Sequence, residues 1–268
     1  MVTLYAFCRV VDDIADDPDL DLDHKRRRLD LWQSWVESES SDPAPPAAAE
    51  VDILDPAAIK SDLILARELA VLPARYPIDR SLFVEVIDGM RMDLEPRLYR
   101  DWEELRGYCY RVASAVGLLS IEVFGYRDPA CRTYAKQLGY ALQITNIMRD
   151  VGSDLEQGRV YLPLADLEEH GYRLEDLRAR VHDDRFRAVM DQQWRRAMKC
   201  HEIALAHLPE ADRPSMLAAE MMAQIYQEVL AHMRADHYRV FDRRYSLSPF
   251  RKAAILIGHN LRVLLRTG

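Results

Sequence analysis

The most informative part of this sequence is the stretch Gln143-Ile144-Thr145-Asn146-Ile147-Met148-Arg149-Asp150-Val151-Gly152-Ser153-Asp154. On an α-helix, Gln143, Asn146, Asp150 and Asp154 share one face because they lie three or four residues apart. The apolar residues between them would bury the other flanks of the helix. A buried carboxylate must be paired or bind a cation. The stretch therefore predicts an interior helix with one cation-binding face.

A second acidic stretch lies near the start of the chain. Tyr5, Arg9, Asp12 and Asp16 are separated by four, three and four residues, so they also share one helical face. Hard cations such as Mg²⁺ prefer oxygen ligands and are usually bound by a few carboxylates together with substrate phosphates. Either pair of aspartates alone is more often a solvated face. Two such pairs, each beside an arginine, predict facing helices that hold an anionic substrate through metal ions.

Composition limits the classes of protein to which the chain can belong. It has 268 residues, 49% of them hydrophobic and only 10 of them glycine, which is typical of one large helical domain. A net charge of −8 argues against a nucleic-acid partner. The four cysteines form no C-x-x-C pair, which predicts reduced thiols in a cytoplasmic protein. No glycine-rich dinucleotide fingerprint is present, so NADPH is not expected as a cofactor.

Apolar periodicity predicts an all-α protein with about eight to ten helices in one domain, residues 1–268. No segment alternates as a strand would, and there is no internal repeat. The segment 38–56, rich in Ser, Pro and Ala, is expected to be a surface loop. The longer predicted helices are 3–17, 22–37, 57–72, 79–95, 102–124, 129–156, 184–208, 213–241 and 248–265.

Four blocks in this order resemble the squalene/phytoene synthase family, whose members join two prenyl diphosphates head to head. The blocks are Tyr5–Asp16, Asp88–Leu94, Tyr108–Gly117 and Asn146–Pro163. The resemblance implies an isoprenoid-synthase helical bundle with a central substrate cavity, a single trans-isoprenyl diphosphate synthase domain. It also implies a short N-terminal family segment that precedes the first block and that we expect to be missing from this sequence.

The resemblance further implies a role for each matching position. Mg²⁺, with Mn²⁺ as an alternative, would be bound by the four aspartates Asp12, Asp16, Asp150 and Asp154. Residues at the positions of catalytic groups are Tyr108, Arg9, Arg149 and Arg159. Residues at substrate-binding positions are Tyr5, Gln143, Asn146 and, by a looser match, Arg251. The Tyr108 position implies stabilisation of positive charge or help with proton transfer; the alternative is a residue that only lines the cavity wall.

The expected activity is that of a prenyltransferase that condenses two farnesyl diphosphates to presqualene diphosphate, in squalene and hopanoid biosynthesis. The alternative is a phytoene synthase that condenses two geranylgeranyl diphosphates in carotenoid biosynthesis. A non-catalytic assembly-factor relative is a third interpretation, which the retention of all four aspartates disfavours. A terpene cyclase would leave the Tyr108 block unexplained.

The same resemblance suggests the partners of the protein. Prenyl diphosphates are the expected substrates, and downstream isoprenoid enzymes are candidate protein partners. No run of apolar residues is long enough to cross a bilayer. Because substrates and products are lipids, we expect a cytoplasmic protein that makes transient peripheral contact with the inner face of the membrane.

Overall fold

Most of the longer helices lie close to the residue ranges that the sequence predicted. The structure is a computed structural model that describes residues 1–38 and 56–267, where helices are the only regular secondary structure. Their bounds are α1 Val2–Asp16, α2 Leu22–Glu37, α3 Pro56–Ala70, α4 Leu72–Arg75, α5 Ser81–Met92, α6 Trp102–Cys109, α7 Ala115–Phe124, α8 Ala130–Glu156, α9 Leu164–Glu169, α10 Leu174–Arg178, α11 Asp184–Ala206, α12 Leu217–Ala235 and α13 Pro249–Thr267. The all-α prediction is therefore confirmed, and the predicted loop at 38–56 lies almost wholly outside the described residues.

Helix α8 is the central element and carries the second acidic stretch. Its 27 residues give a length of about 40 Å. Its first half belongs to a core formed with α1, α2, α5 and α7, where Phe7 packs edge-on against Trp32 and Phe83. Its second half belongs to another core, formed mainly with α6, α11 and α12. Because both halves are anchored in this way, the polar face of α8 is held on a rigid element.

The predicted helix at 102–124 is present but is not a continuous α-helix. Residues Tyr110–Ser114 form a π-helical turn between α6 and α7, which begins two residues after Tyr108. This turn packs tightly against α8. The Ser114 hydroxyl donates to the Lys136 carbonyl at 2.8 Å, and a Cβ on Gly139 would lie only 2.6 Å from Ser114 Cα. A π turn inserts one residue into a helix and is frequent at functional sites.

The predicted helix at 213–241 is too long at both ends. Helix α12 covers only Leu217–Ala235 because tertiary contacts hold the flanking residues in other conformations. Before it, the Asp212 carboxylate accepts hydrogen bonds from the backbone N–H groups of Arg127 and Asp128. After it, the Tyr238 hydroxyl bonds to Asp191, and Tyr238 has a positive φ of 57° that a helix does not permit. Periodicity alone does not reveal such contacts.

No helix among the described residues is both long and apolar enough to span a bilayer. All four cysteines are free, and Cys109, Cys131 and Cys200 are buried, as expected for thiols inside helical patterns.

Candidate active site

Arg159 joins the two acidic stretches in space. Helix α8 ends at Glu156, and Gly158 turns the chain with a positive φ of 74°. This turn lets the Arg159 N–H donate to the Asp154 carbonyl at 2.8 Å. The Arg159 guanidinium then donates to the Asp16 carboxylate at the end of α1, at 2.7 Å. The C-terminal ends of α1 and α8 therefore face the same site, as the spacing of the aspartates predicted.

Asp150 is the most strongly paired carboxylate of the site. Arg149 donates to it from Nε at 3.0 Å, and Arg244, 94 residues further along the chain, donates from Nε at 2.8 Å. Burial alone would raise the pKa of Asp150, but the hydrogen bonds from these two arginines outweigh it and the pKa is lowered. Asp150 is therefore held as an anion next to two cationic groups that are able to bind phosphate.

Asp154, one turn further on, has the opposite environment. Its carboxylate makes no hydrogen bond or ion pair with a described residue. Burial, followed by the negative charge of Asp150, raises its pKa to about 7. Arg159 and Arg149 attract the Asp154 carboxylate only from beyond ion-pair distance, so a cation bound beside it would stabilise it.

The first acidic stretch has a more exposed set of contacts. Arg9 pairs with Asp12 at 3.2 Å and with Asp13 at 2.9 Å. Burial and the charge of Asp16 raise the pKa of Asp12. Tyr5 lies one turn before Arg9, and its side chain is 70% exposed. These contacts leave Asp12 and Asp16 on the side of α1 that faces Arg159.

A cluster of three tyrosines around Asp93 lies next to the acidic residues. The hydroxyls of Tyr108 and Tyr161 each donate to one oxygen of the Asp93 carboxylate at 2.8 Å. The rings of Tyr108 and Tyr161 stack with centroids 5.2 Å apart, and Tyr99 packs against both. Burial raises the pKa values of both Asp93 and Tyr108, so Tyr108 remains a neutral phenol. The cluster offers aromatic faces and hydroxyl oxygens in a largely dry environment.

The donor groups of the site suit a hard divalent cation. The Asn146 Oδ1 atom is buried without a hydrogen-bond partner, one turn of α8 before Asp150. Together with Asp150 and the uncompensated Asp154 it places three oxygen donors on one helical face, the ligand type that Mg²⁺ prefers. In the described part of the chain no three acidic, histidine or cysteine side chains already enclose a metal position.

The remaining predicted site residues divide into two groups. Gln143 accepts a hydrogen bond from Asn146 at 3.3 Å, so it lies on the polar face of α8 as predicted. Arg251 instead pairs with Glu228 on α12 at 2.7 Å and makes no contact with the acidic stretches. A role for Arg251 in binding substrate stays a prediction.

The site also includes Arg244, Tyr161 and Asp93, which were not among the predicted site residues. Asp88, Arg91 and Asp93 all lie in the block Asp88–Leu94 that carries the family resemblance. The structure separates them, because Asp93 enters the tyrosine cluster whereas Arg91 pairs with Asp88 and Asp30 at the periphery. The block Asp88–Leu94 was the available signal for Asp93. For Arg244 the signal was the excess of basic residues between 239 and 266, which is compatible with binding diphosphate but is more often a solvated helix end.

At one end of the helical bundle the site combines aspartate carboxylates, most of them paired with arginines, and buried aromatic rings. Such a site can hold a diphosphate through cations and arginines, while apolar walls accept a hydrocarbon tail. These are the properties of an enzyme that acts on prenyl diphosphates.

Comparison with known proteins shows the family. The family model described as squalene/phytoene synthase matches residues 1–251. A phytoene synthase of Mycobacterium bovis is 36% identical over 257 residues, covering 94% of this chain and 78% of that protein. A 15-cis-phytoene synthase of Synechocystis is 34% identical over 259 residues, covering 90% and 70%. The chain belongs to the squalene/phytoene synthase family and is a prenyltransferase-type enzyme.

Solved structures agree with this assignment. A dehydrosqualene synthase superposes with a TM-score of 0.73 at 26% identity, covering 99% of this chain and 86% of that one. The squalene synthase HpnC of Alicyclobacillus acidocaldarius superposes with a TM-score of 0.70 at 26% identity, covering 88% and 82%. The resemblance inferred from the four sequence blocks is thus confirmed, as is the isoprenoid-synthase helical fold.

Proposed function

We propose that this protein is a phytoene synthase, which condenses two geranylgeranyl diphosphates head to head for carotenoid biosynthesis. The observation that carries the proposal is the identity of 32–36% to proteins named phytoene synthase over nearly the whole chain. This similarity favours the phytoene synthase activity over the condensation of two farnesyl diphosphates to presqualene diphosphate, which the sequence resemblance led us to expect.

The arginines of the site would bind the diphosphate groups. Arg9, Arg149, Arg159 and Arg244 each pair with an aspartate, and each guanidinium can exchange that carboxylate for phosphate oxygens. Mg²⁺ held by Asp12, Asp16, Asp150 and Asp154 would supply Lewis-acid stabilisation of the departing diphosphate. Mg²⁺ would then neutralise the carboxylates that the arginines release, and the arginines would neutralise the phosphates.

Tyr108 and its neighbours would protect the allylic carbocation that forms when diphosphate leaves. The stacked rings of Tyr108 and Tyr161 present π faces, which attract cations. Their hydroxyl hydrogens point to Asp93, so oxygen lone pairs of Tyr108 remain available to a positive centre or a departing proton. The buried aromatic wall would also exclude water, which otherwise captures the cation.

Product analysis tests the proposal. The purified protein is incubated with Mg²⁺ and either geranylgeranyl or farnesyl diphosphate, and the products are extracted and identified by mass. We expect a forty-carbon hydrocarbon from geranylgeranyl diphosphate. Asp150→Ala should abolish the product, whereas the matched Asp88→Ala, which removes a carboxylate at the periphery, should not.

A second candidate, condensation of two farnesyl diphosphates, is favoured by the solved structures, a dehydrosqualene synthase and a squalene synthase, each at 26% identity. A thirty-carbon product or its cyclopropyl diphosphate as the dominant product would support this candidate and overturn the phytoene synthase assignment. A folded protein that yields neither product would count against both.

A further inference from the structure

A buried ion pair joins α9 to α11. Arg196 of α11 donates from Nη2 to one oxygen of the Asp166 carboxylate of α9 at 2.8 Å, and from Nη1 to the other oxygen. Gln193, one turn before Arg196, also donates to Asp166, at 2.8 Å, and accepts from Arg196 at 3.0 Å. Asp166 and Gln193 are both buried. A guanidinium that meets both carboxylate oxygens in this way has one favourable orientation, so the pair fixes α9 against α11.

The start of α6 is held by the same arginine. The Arg196 guanidinium lies over the ring of Trp102, the first residue of α6, 5.2 Å from the ring centroid. Just before Trp102, the Tyr99 carbonyl accepts a hydrogen bond from the N–H of Leu164, the first residue of α9, at 2.9 Å. We refer to the four side chains that hold the starts of α6 and α9 on α11 as the Arg196 clamp: Trp102, Asp166, Gln193 and Arg196.

The clamp lies at the ends of two segments that carry residues of the site. The loop 157–163 between α8 and α9 carries Arg159 and Tyr161, and Asp166 lies five residues after Tyr161. The segment before α6 carries Tyr99, whose ring stacks on Tyr161 with centroids 6.0 Å apart. Helix α8 fixes the start of the loop and the clamp fixes its end. A shift of α9 would therefore displace Arg159 and Tyr161 from their hydrogen-bond partners.

We propose that Arg196 and Asp166 are positioning residues, which set where Arg159 and Tyr161 lie relative to the substrate. Compared with well-packed apolar residues, an ion pair in the interior adds little net stability, because both charges lose their hydration. The pair supplies a fixed direction instead, and a displacement of catalytic groups by about 1 Å can cost about a hundredfold in rate. The effect on turnover rests on the proposed condensation of prenyl diphosphates, whereas the effect on diphosphate binding through Arg159 does not depend on which product is formed.

Two measurements on the full chain test the proposal. Calorimetry gives the affinity for inorganic diphosphate in the presence of Mg²⁺, and steady-state kinetics with the prenyl diphosphate that the parent protein turns over give KM and kcat. Arg196→Lys keeps the charge but loses the planar fork. We expect this variant to bind inorganic diphosphate about tenfold more weakly, to raise KM by a similar factor and to lower kcat at least about tenfold. A variant that was only less stable would lower the apparent kcat through its folded fraction and leave KM unchanged.

An apolar variant separates positioning from stability. Asp166→Leu/Gln193→Leu/Arg196→Met replaces the three hydrogen-bonded side chains of the clamp together, so none of them leaves a buried polar partner behind. We expect its urea midpoint to stay close to that of the parent protein. Its diphosphate affinity, KM and kcat should shift in the same direction as those of Arg196→Lys, because apolar contacts do not impose the same orientation on α9.

Arg28→Lys is the matched control, since it makes the same substitution in an ion pair outside the clamp. Arg28 of α2 donates to Asp62 of α3 at 2.9 Å, and both side chains are largely buried. This variant should keep the diphosphate affinity, KM and kcat of the parent protein.

The proposal would be overturned by an apolar variant that has the diphosphate affinity, KM and kcat of the parent protein. Equal losses in Arg196→Lys and Arg28→Lys would also overturn it. If the apolar variant does not fold, Arg196→Lys decides alone, because parent values of all three quantities in that variant would contradict a positioning role. A parent protein that binds inorganic diphosphate but turns over neither prenyl diphosphate would count against the proposed function, and the binding measurement would still test the clamp.

Discussion

Asp93 is the residue around which the aromatic part of the site is organised. Its two carboxylate oxygens each accept a hydroxyl hydrogen, one from Tyr108 and one from Tyr161, at the same distance of 2.8 Å. A carboxylate accepts hydrogen bonds only, so both phenols must point their hydrogens towards it. Asp93 thereby sets the orientation of both hydroxyls without itself touching the proposed diphosphate-binding groups.

We predict that Asp93→Asn lowers kcat with little change in KM. The amide keeps one acceptor oxygen but presents a donor to the other tyrosine, which must rotate its hydroxyl. Because the orientation of the hydroxyls matters after the substrate is bound, kcat should fall by about a hundredfold. Steady-state kinetics with the preferred diphosphate measure the effect.

Asp88→Asn is the matched control, since Asp88 lies five residues before Asp93, on α5, and pairs with Arg91 at the periphery. Its kcat should stay close to that of the parent protein. An Asp93→Asn enzyme with the parent kcat would show that Asp93 does not orient the tyrosines for catalysis.

For individual residues, the sequence predicted which side chains share a helical face. It did not predict which residues far apart in the chain contact each other. Asn146, Asp150 and Asp154 lie on one face because helix geometry places residues four apart together. The partners of Asp93 are 15 and 68 residues away, and Arg244 is 94 residues from Asp150. No periodicity links such positions, because the approach of separate helices determines those contacts.

Among the elements, the π turn at Tyr110–Ser114 and helix α8 come into close backbone contact. Gly139 of α8 lies against the backbone of Ser114, and Gly89 of α5 lies against Val112 on another side of the turn. The turn begins two residues after Tyr108, so its packing also helps to fix where that tyrosine lies. Ala113, Ser114 and Gly117 are small enough for a close approach of another helix, but the inserted residue of the π turn leaves no mark on apolar periodicity.

We predict that Gly139→Ala destabilises the protein by about 1–3 kcal/mol or more, because overpacking forces side chains and backbone to shift. The added Cβ would lie 2.6 Å from Ser114 Cα and 2.7 Å from Ser114 N. Both are backbone atoms, so relieving the overlap would require the π turn or α8 to shift. Urea unfolding followed by circular dichroism gives the free energy of unfolding.

Gly107→Ala in α6 provides the contrast. A Cβ there would meet only the end of the Arg111 side chain, at 3.7 Å. Alanine is favoured over glycine inside a helix, so this variant should be neutral or more stable by up to about 1 kcal/mol. If both variants had the same stability, the close contact at Gly139 would not constrain the two helices.

At the scale of the whole molecule, a cavity of about 510 Å³ lies between α8, α11, α12 and α13. Leu138, Ala204 and Ala223 form part of its apolar wall. Its titratable and charged lining residues are Tyr134, His201, Arg213, Glu220, Glu228 and His259. The two glutamates pair with Arg213 and Arg251, whereas His201 Nε2 is buried without a partner. Protonating the buried His201 ring in the folded protein would therefore cost free energy.

We predict that the protein loses stability as pH falls below about 6.5 and that His201 contributes to this loss. Burial lowers the pKa of His201 from 6.5 to about 4. Between these values the unfolded chain binds a proton that the folded protein does not, so stability rises with pH in this window. The full effect, reached below pH 4, is on the order of 3 kcal/mol.

His201→Gln removes the titrating ring and should flatten the pH dependence of the free energy of unfolding between pH 4 and 6.5. Exposed His207, on the residue after α11, gives the control His207→Gln, which should leave that dependence unchanged. Urea unfolding at a series of pH values measures both variants. An unaltered slope in His201→Gln would mean that the ring is protonated in the folded state, and hence that the cavity wall accommodates its charge.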